Sequence, residues 1–588
     1  MNAMAPFGPR LHADGVTFRL WAPKARDVKL ITDRVDPMNA RPDGWHEFAL
    51  PSAHAGTRYK FRIDDELDVP DPASHFQPDD ITGPSEVIDH GTFQWRTQDW
   101  RSRKWEDTVI LECHVGTFTS AGNFRAMIEK LDHVVDCGIT AIELMPLADF
   151  AGRWNWGYDG VLLFAPDSSY GRPDDLKALI DEAHLRGLMV FLDVVYNHFG
   201  PEGNYLGHYA PGFFTKANTP WGAAIDYRVS EVRTFAIQNA LHWIENYRFD
   251  GLRLDAVHAI VEQGQPTMLK ELSLAVGKFA EANGRLIHLV LENDNNAASL
   301  LDPTGEPPRG RFRAQWNDDY HHAWHVLLTG EDSGYYRDYV QEPCNHIARA
   351  LSAGFAYQGE ISNHRGGQKR GEPSGALSPL AFVNFLQNHD QIGNRPLGNR
   401  LTAQSDPQRL AAALAVMLLA PMPPLLFMGE EWGSATPFPF FCDFHGGLAD
   451  AIRAGRRDEF KHAYASHGRD IPDPLAEDTF RSAKLDWEAR QGPAPRERLT
   501  LVQALLRIRR DEVVSHLAGT RFGAACFSDG ILRAHWRLGN GRRLTLLANL
   551  SQGEQSREDN AGIGRPIWGG APPAILPACS VYWAIGGD

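Results

Sequence analysis

GLRLDAVH, residues 251–258, sets Arg253 and Asp255 two apart in an otherwise apolar run. Along an extended chain residues i and i+2 point to one face, so the two charges share a side. A short apolar run without alternation reads as a strand buried on both faces, the habit of parallel sheets covered by helices. Seven further runs share that texture: VILECHV (109–115), ITAIELMPL (139–147), LMVFLDVV (188–195), LIHLVLE (286–292), FRAQWN (312–317), LAFVNFLQ (380–387) and PLLFMGE (424–430). Amphipathic stretches lie between them. In DDLKALIDEAHLRG (174–187), Leu176, Leu179, Ile180 and Ala183 fall on one helical face and Gly187 is placed to end the helix. NFRAMIEKLDHVVDCG (123–138) predicts another, buried through Phe124, Ile128, Leu131 and Val135. Eight such units predict an α/β fold, a (β/α)8 TIM barrel. RERLTLVQALLRIRRDEV (496–513) supplies the closing helix, with RIRR (507–510) expected on its solvated face.

The flanks read differently. Alternation in VTFRLW (16–21) and RYKFRI (58–63), between loops rich in Pro, Asp and Gly, predicts an N-terminal immunoglobulin-like β-sandwich over residues 1–95. The catalytic barrel with its loop insertions is expected over 96–513. LRAHWRL (532–538), LTLLANL (544–550) and SVYWAI (580–585) predict a C-terminal β-sandwich over 514–588.

Composition narrows the function. A formal charge of −15 with no long Lys/Arg block argues against nucleic acid or an anionic membrane as partner and favours a neutral substrate. Sixteen Trp in 588 residues can line a cleft with flat rings as well as fill cores. The six cysteines are scattered without a CxxC pair, so they read as reduced thiols. MNAMAPFGPR at the N-terminus has no apolar stretch, and a cytoplasmic location is expected. LAAALAVMLLAPMPPLLFMG (410–429) is long enough to suggest a membrane span, but Pro421, Pro423 and Pro424 divide it into a core helix and a buried strand.

In a TIM barrel catalysis sits where strands end. Here DVVYNH ends the third strand with Asp193, Asn197 and His198, and RLDAVH ends the fourth with Arg253, Asp255 and His258. Glu292 ends the fifth, and QNHDQIGN brings Asn388, His389 and Asp390 to the seventh. One carboxylate after an apolar run is usually a helix cap or turn residue. Four strand ends bearing such groups together point to a ring around a barrel mouth.

Those blocks, in that order, resemble the motifs of the α-amylase superfamily of retaining glycoside hydrolases, and the resemblance covers nearly the whole chain. It implies Asp255 as nucleophile, Glu292 as general acid/base and Asp390 as transition-state stabiliser. Arg253 beside Asp255 should hold that carboxylate ionised, while Glu292 needs a raised pKa to arrive protonated. In RWNWGYDG (153–160), Tyr158 resembles the ring under the cleaved sugar; Trp154 reads as loop packing and Trp156 stands between the two roles. After Glu292 the chain runs NDNNAASLL, where the family pattern has SDLNDP.

QWNDDYHHAWHVLLTGE (315–331) and FMGEEWGSATPFPFFCDFH (427–445) resemble one branch, the maltooligosyltrehalose trehalohydrolases. This implies cleavage of the α-1,4 bond next to a terminal trehalose. The substrates would be maltooligosyl trehalose and α-1,4-glucans, with no cofactor and no metal. A maltooligosyltrehalose synthase is the implied functional partner, and the chain is expected to be a monomer or homodimer. Implied binding positions are Tyr158, Asp193, Asn197 and His198; then Arg253, Leu254, Ala256, Val257 and His258. Asn317, Asp318, Asp319, Tyr320 and His321 follow the sixth strand, and Asn388, His389, Gln391, Ile392 and Gly393 the seventh. Phe438, Phe440 and Phe441 offer either a cap on the leaving-group side or ordinary packing. Branching and debranching enzymes share the chemistry and form the nearest alternative. A glycan-binding protein with an inactive barrel would be expected to lack a carboxylate. His321 and His325, spaced i, i+4, could ligate zinc on a helix, but His322 stands where a metalloprotease needs its Glu.

Overall fold

The eight apolar runs close on one another as a parallel barrel: Ile110–Cys113, Ala141–Leu144, Met189–Val194, Gly251–Leu254, His288–Leu291, Ala314–Trp316, Phe382–Phe385 and Pro424–Phe427, the last returning to the first. This computed structural model describes residues 7–219, 221–260, 267–302, 309–461, 471–557 and 564–586. Nearly every barrel-strand residue is buried, because helices cover the outside and side chains fill the inside. Register sets the polar interior: Glu112 pairs with Glu143, and Asp193 pairs with Arg253.

The N-terminal part is a sandwich of two antiparallel sheets between Arg10 and Glu86. It rests on the Ser230–Asn246 helix, where Phe7 meets Phe235 edge-on at 5.1 Å. At the C-terminus a five-stranded antiparallel sheet from Arg521 to Gly586 carries a two-stranded ribbon. It docks through indoles: Trp583 donates to the Ala415 carbonyl at 3.0 Å and Trp536 to that of Leu351 at 2.8 Å.

Residues 410–429 form the expected helix, Pro407–Leu419, and the eighth strand. Among the described residues no helix is long and apolar enough to cross a membrane. Two expectations are corrected. Residues 123–138 form two short helices, Phe124–Ile128 and Leu131–Asp136, because Lys130 (φ −105°, ψ −5°) breaks the turn; the break rotates Val135 outward to 37% exposure. Within RIRR, Arg507 and Arg510 are solvated but Arg509 is buried. Its guanidinium donates to the carbonyls of Leu418 (3.2 Å), Ala420 and Met422 (2.9 Å), satisfying the C-terminal end of the Pro407–Leu419 helix where it turns into the last strand.

Candidate active site

Arg253 gathers the acids. Its Nη1 lies 2.6 Å from Asp193 Oδ2 and 2.7 Å from Asp255 Oδ1, and its Nη2 lies 3.0 Å from Glu292 Oε2. The planar fork thereby fixes three carboxylates from adjacent strands. Asp255 also accepts from Asn197 Nδ2 at 2.8 Å, and Tyr158 donates its hydroxyl to Asp193 at 2.6 Å. Just past the fourth strand Ala256 adopts a left-handed conformation (φ 40°, ψ 46°), uncommon for a residue with a Cβ. That turn aims its N–H at Glu292 Oε2, 2.7 Å away.

Asp255 and Glu292 are driven apart electrostatically. Burial pushes Asp255 up, but Arg253, the Asn197 hydrogen bond and His198 outweigh it, and the carboxyl lies below its ordinary range. Glu292 is pushed well above its own, first by burial, then by Asp255, Asp318 and Asp390, against the pull of Arg253. The opposed shifts favour the ionised form of Asp255 and the protonated form of Glu292.

Asp390 stands in the first turn of the His389–Gly393 helix, whose N-cap Asn388 accepts from the N–H groups of Asp390 and Gln391. Asn394 donates to Asp390 Oδ1 at 2.6 Å. His389 uses Nδ1 on Glu112, whose charge outweighs burial and holds the imidazole pKa above its usual value, leaving Nε2 for the cleft. Tyr158 stacks on the His389 ring at 5.1 Å. Together these groups floor a cleft of about 450 Å³ walled by Trp156, Phe440, Tyr335 and Trp221.

The chain matches three family models: alpha amylase, catalytic domain (residues 93–211); carbohydrate-binding module 48, the isoamylase N-terminal domain (6–75); and a C-terminal domain of unknown function (520–583). It is 42% identical to the malto-oligosyltrehalose trehalohydrolase of Deinococcus radiodurans over 92% of this chain and 88% of that one. It is 40% identical to that of Saccharolobus solfataricus, over 86% of this chain and 87% of the other. The chain belongs to the malto-oligosyltrehalose trehalohydrolase family. A crystal structure of a putative alpha amylase from Salmonella typhimurium superposes with a TM-score of 0.94 at 43% identity, covering 99% of both chains. A pullulanase from Paenibacillus barengoltzii shares the fold, with a TM-score of 0.71 at 19% identity over 99% of this chain and 95% of that one.

The cleft brings together Tyr158, His198, Arg253, Asp255, Ala256, His258, Glu292, Asp318, His389, Asp390 and Gln391. Asp193 and Asn197 lie beneath, holding Arg253 and Asp255. The other expected positions are not on its wall. Leu254 and Ile392 are core, and Val257 gives its N–H to the Glu292 carbonyl at 3.0 Å. Asn317 bonds Asn384 (2.9 Å) and the Gly354 carbonyl, and Asp319 binds Arg370 at 2.6 Å. Tyr320 is buried, and His321 is used by the Leu386 carbonyl (2.5 Å) and Tyr336 (3.1 Å). Asn388 caps its helix, and Gly393 backs the Trp156 ring, where an added Cβ would come within 1.9 Å. Of the three phenylalanines only Phe440 reaches the cleft; Phe438 and Phe441 are fully buried packing. Trp154 stacks on Phe480 away from the wall, while Trp156 lines it.

Asp294, His322, Tyr335 and His364 also line the cleft and were not singled out from the sequence. His322 stacks on Tyr335 at 4.6 Å. A signal existed: in a helix beginning at Asp318, position i+4 is His322, so an Asp318 facing substrate brings His322 with it. Glu112 and Glu143 were legible as glutamates inside apolar strands; both are buried under the site, and Glu143 is pushed well above its usual pKa by burial, Asp193 and Glu112. His321 and His325 belong to none of the groups that could jointly hold a metal among the described residues.

Proposed function

We propose that the chain hydrolyses the α-1,4-glucosidic bond next to the terminal trehalose of a maltooligosyl trehalose, releasing trehalose and a maltooligosaccharide. Glu292 gives its proton to the glycosidic oxygen as Asp255 attacks the anomeric carbon. The C–O bond to trehalose breaks and a covalent glycosyl-enzyme forms. Glu292, now ionised, takes a proton from water as it attacks the same carbon. That releases the sugar with its configuration retained and restores both carboxyls. Asp390 and His389 hold ring hydroxyls, and the Asp390 carboxylate favours the positive charge that develops at the sugar.

The observation that carries the chemistry is the single guanidinium shared by Asp255 and Glu292, with one acid held below and the other above its ordinary pKa. The choice of substrate rests on the relatives, over most of their length. Flat rings at Tyr158, Trp156 and Tyr335 suit sugar faces. We further infer work in the cytoplasm downstream of a maltooligosyltrehalose synthase; six unpaired thiols suit a reducing compartment. Product analysis on maltopentaosyl trehalose tests the reading: trehalose and maltopentaose are expected in equal amounts, and far faster turnover of soluble starch would refute it.

A further inference from the structure

Away from the cleft, three histidines converge where the N-terminal sandwich meets the barrel. His75 lies in the buried segment after the Leu67–Val69 strand, and His90 on the stretch leading from the sandwich to the first barrel strand. His242 is on the Ser230–Asn246 helix, between the third and fourth barrel strands. One ring nitrogen from each lies within 4.8 Å of the other two. The ring centroids are 4.5 Å apart for His75 and His242, 5.1 Å for His75 and His90, and 5.3 Å for His90 and His242.

Hydrogen bonding leaves several of their ring nitrogens without partners. His75 Nδ1, both nitrogens of His90 and His242 Nε2 are buried without a protein partner. A buried polar atom without a partner costs about 1–3 kcal/mol, so unpartnered nitrogens on each of three adjoining rings need a reason. His242 Nδ1 lies 3.0 Å from the Asn246 side-chain amide, which leaves Nε2 as the ring nitrogen without a protein partner.

We propose that His75, His90 and His242 form a site for one divalent transition-metal ion, with zinc the cation that best suits the donors, pinning the sandwich to the barrel. Three neutral imidazoles and a fourth position open to water are a recurrent zinc environment. Burial disfavours the protonated form of all three rings: His75 is pushed down to about 4, and His90 and His242 well below their usual range. Tetrahedral zinc places nitrogens about 3.3 Å apart, so binding draws the rings together. His75 and His90 are only half-buried, which gives the ion a way in. Lys177 is the opposing feature: its ammonium reaches the His90 carbonyl at 3.4 Å, but Asp174, 3.3 Å away, and Asp89 offset its charge. A second cluster, His133, Cys137 and Glu431, makes an internal control. There His133 already pairs with Glu431 at 3.2 Å, and Arg490 donates to its other nitrogen at 2.9 Å.

Tag-free, full-length protein stripped with chelator is titrated with zinc by calorimetry, and metal content is measured after dialysis. One equivalent is expected, with a rise in Tm, and cobalt substitution should give the absorption bands of a tetrahedral nitrogen site. His90→Ala and His242→Gln should each weaken binding by at least about 100-fold and remove the Tm rise, whereas His133→Ala should change neither. His90 is on a half-exposed segment, so His90→Ala decides the matter if His242→Gln fails to fold. Absence of stoichiometric zinc uptake, or uptake unchanged in His90→Ala, overturns the assignment.

Discussion

The guanidinium of Arg253 lies over the indole of Trp316, its Cζ 4.1 Å from the ring centroid. Below, the cation faces an aromatic surface; at its edge it meets three carboxylates. A desolvated cation–π contact is worth about 2 kcal/mol, and here it also removes the freedom of the plane to tilt. Arg253→Lys keeps the charge but loses the fork. Turnover is expected to fall at least about 100-fold, since small misplacement of reacting groups costs that much. The Tm should drop as well, because a point charge cannot satisfy the buried Asp193 and the two partly buried acids beside it. Steady-state kinetics with a thermal melt measures both.

Asp255 and Glu292 should separate by leaving group. Glu292→Gln is expected to slow hydrolysis of maltooligosyl trehalose about 10²–10⁴-fold, the usual worth of general acid–base help. On an aryl glucoside whose phenol leaves without protonation, formation of the glycosyl-enzyme should recover. Asp255→Ala should lose both substrates with folding intact. Equal recovery in the two variants would contradict the assigned roles.

The pH profile follows from the opposed shifts. As pH falls through the lowered pKa of Asp255 the nucleophile gains a proton and kcat/KM drops. As pH rises through the raised pKa of Glu292 the acid loses its proton and kcat/KM drops again. The two limbs belong to the pair and should be widely spaced. Asp318→Asn removes one of the charges that raise Glu292, so the alkaline limb should move down while the acid limb stays. An unmoved alkaline limb would contradict this electrostatic account.

Gly393 lies so close to Trp156 that Gly393→Ala must displace the indole, which lines the cleft. KM should rise several-fold with kcat less affected, because the change concerns a sugar platform rather than the acids. Initial rates across a maltooligosyl trehalose series report it.

Arg509→Met should cost about 3 kcal/mol by leaving buried carbonyls of the 418–422 segment without a donor. Chemical denaturation should show the loss while kcat at low temperature is unchanged.

Strands, and the acids at their ends, were legible because burial on both faces demands unbroken apolar runs and each polar exception stands out. Arg253, Asp255 and Glu292 are such exceptions. What sequence hid was rotation. After Asn317 the chain turns helical at about 100° per residue, so the neighbours Asp318, Asp319, Tyr320 and His321 cannot all face substrate, and His322 does instead. Tyr335 and His364 come from a long insertion between the sixth and seventh strands, where no periodicity says which ring turns inward. The break at Lys130 and the burial of Arg509 are not legible for a related reason: amphipathic spacing reports a face, not a local kink or a buried donor satisfying carbonyls of another segment.

The reacting acids hang from one cation at the ends of adjacent barrel strands, whereas His322, Tyr335 and His364 reach the same cleft from the segment after the sixth. Part of the cleft wall is thus supplied by a different piece of chain from the one that seats the acids, and that piece can change without touching Arg253, which is pinned by three carboxylates and an indole.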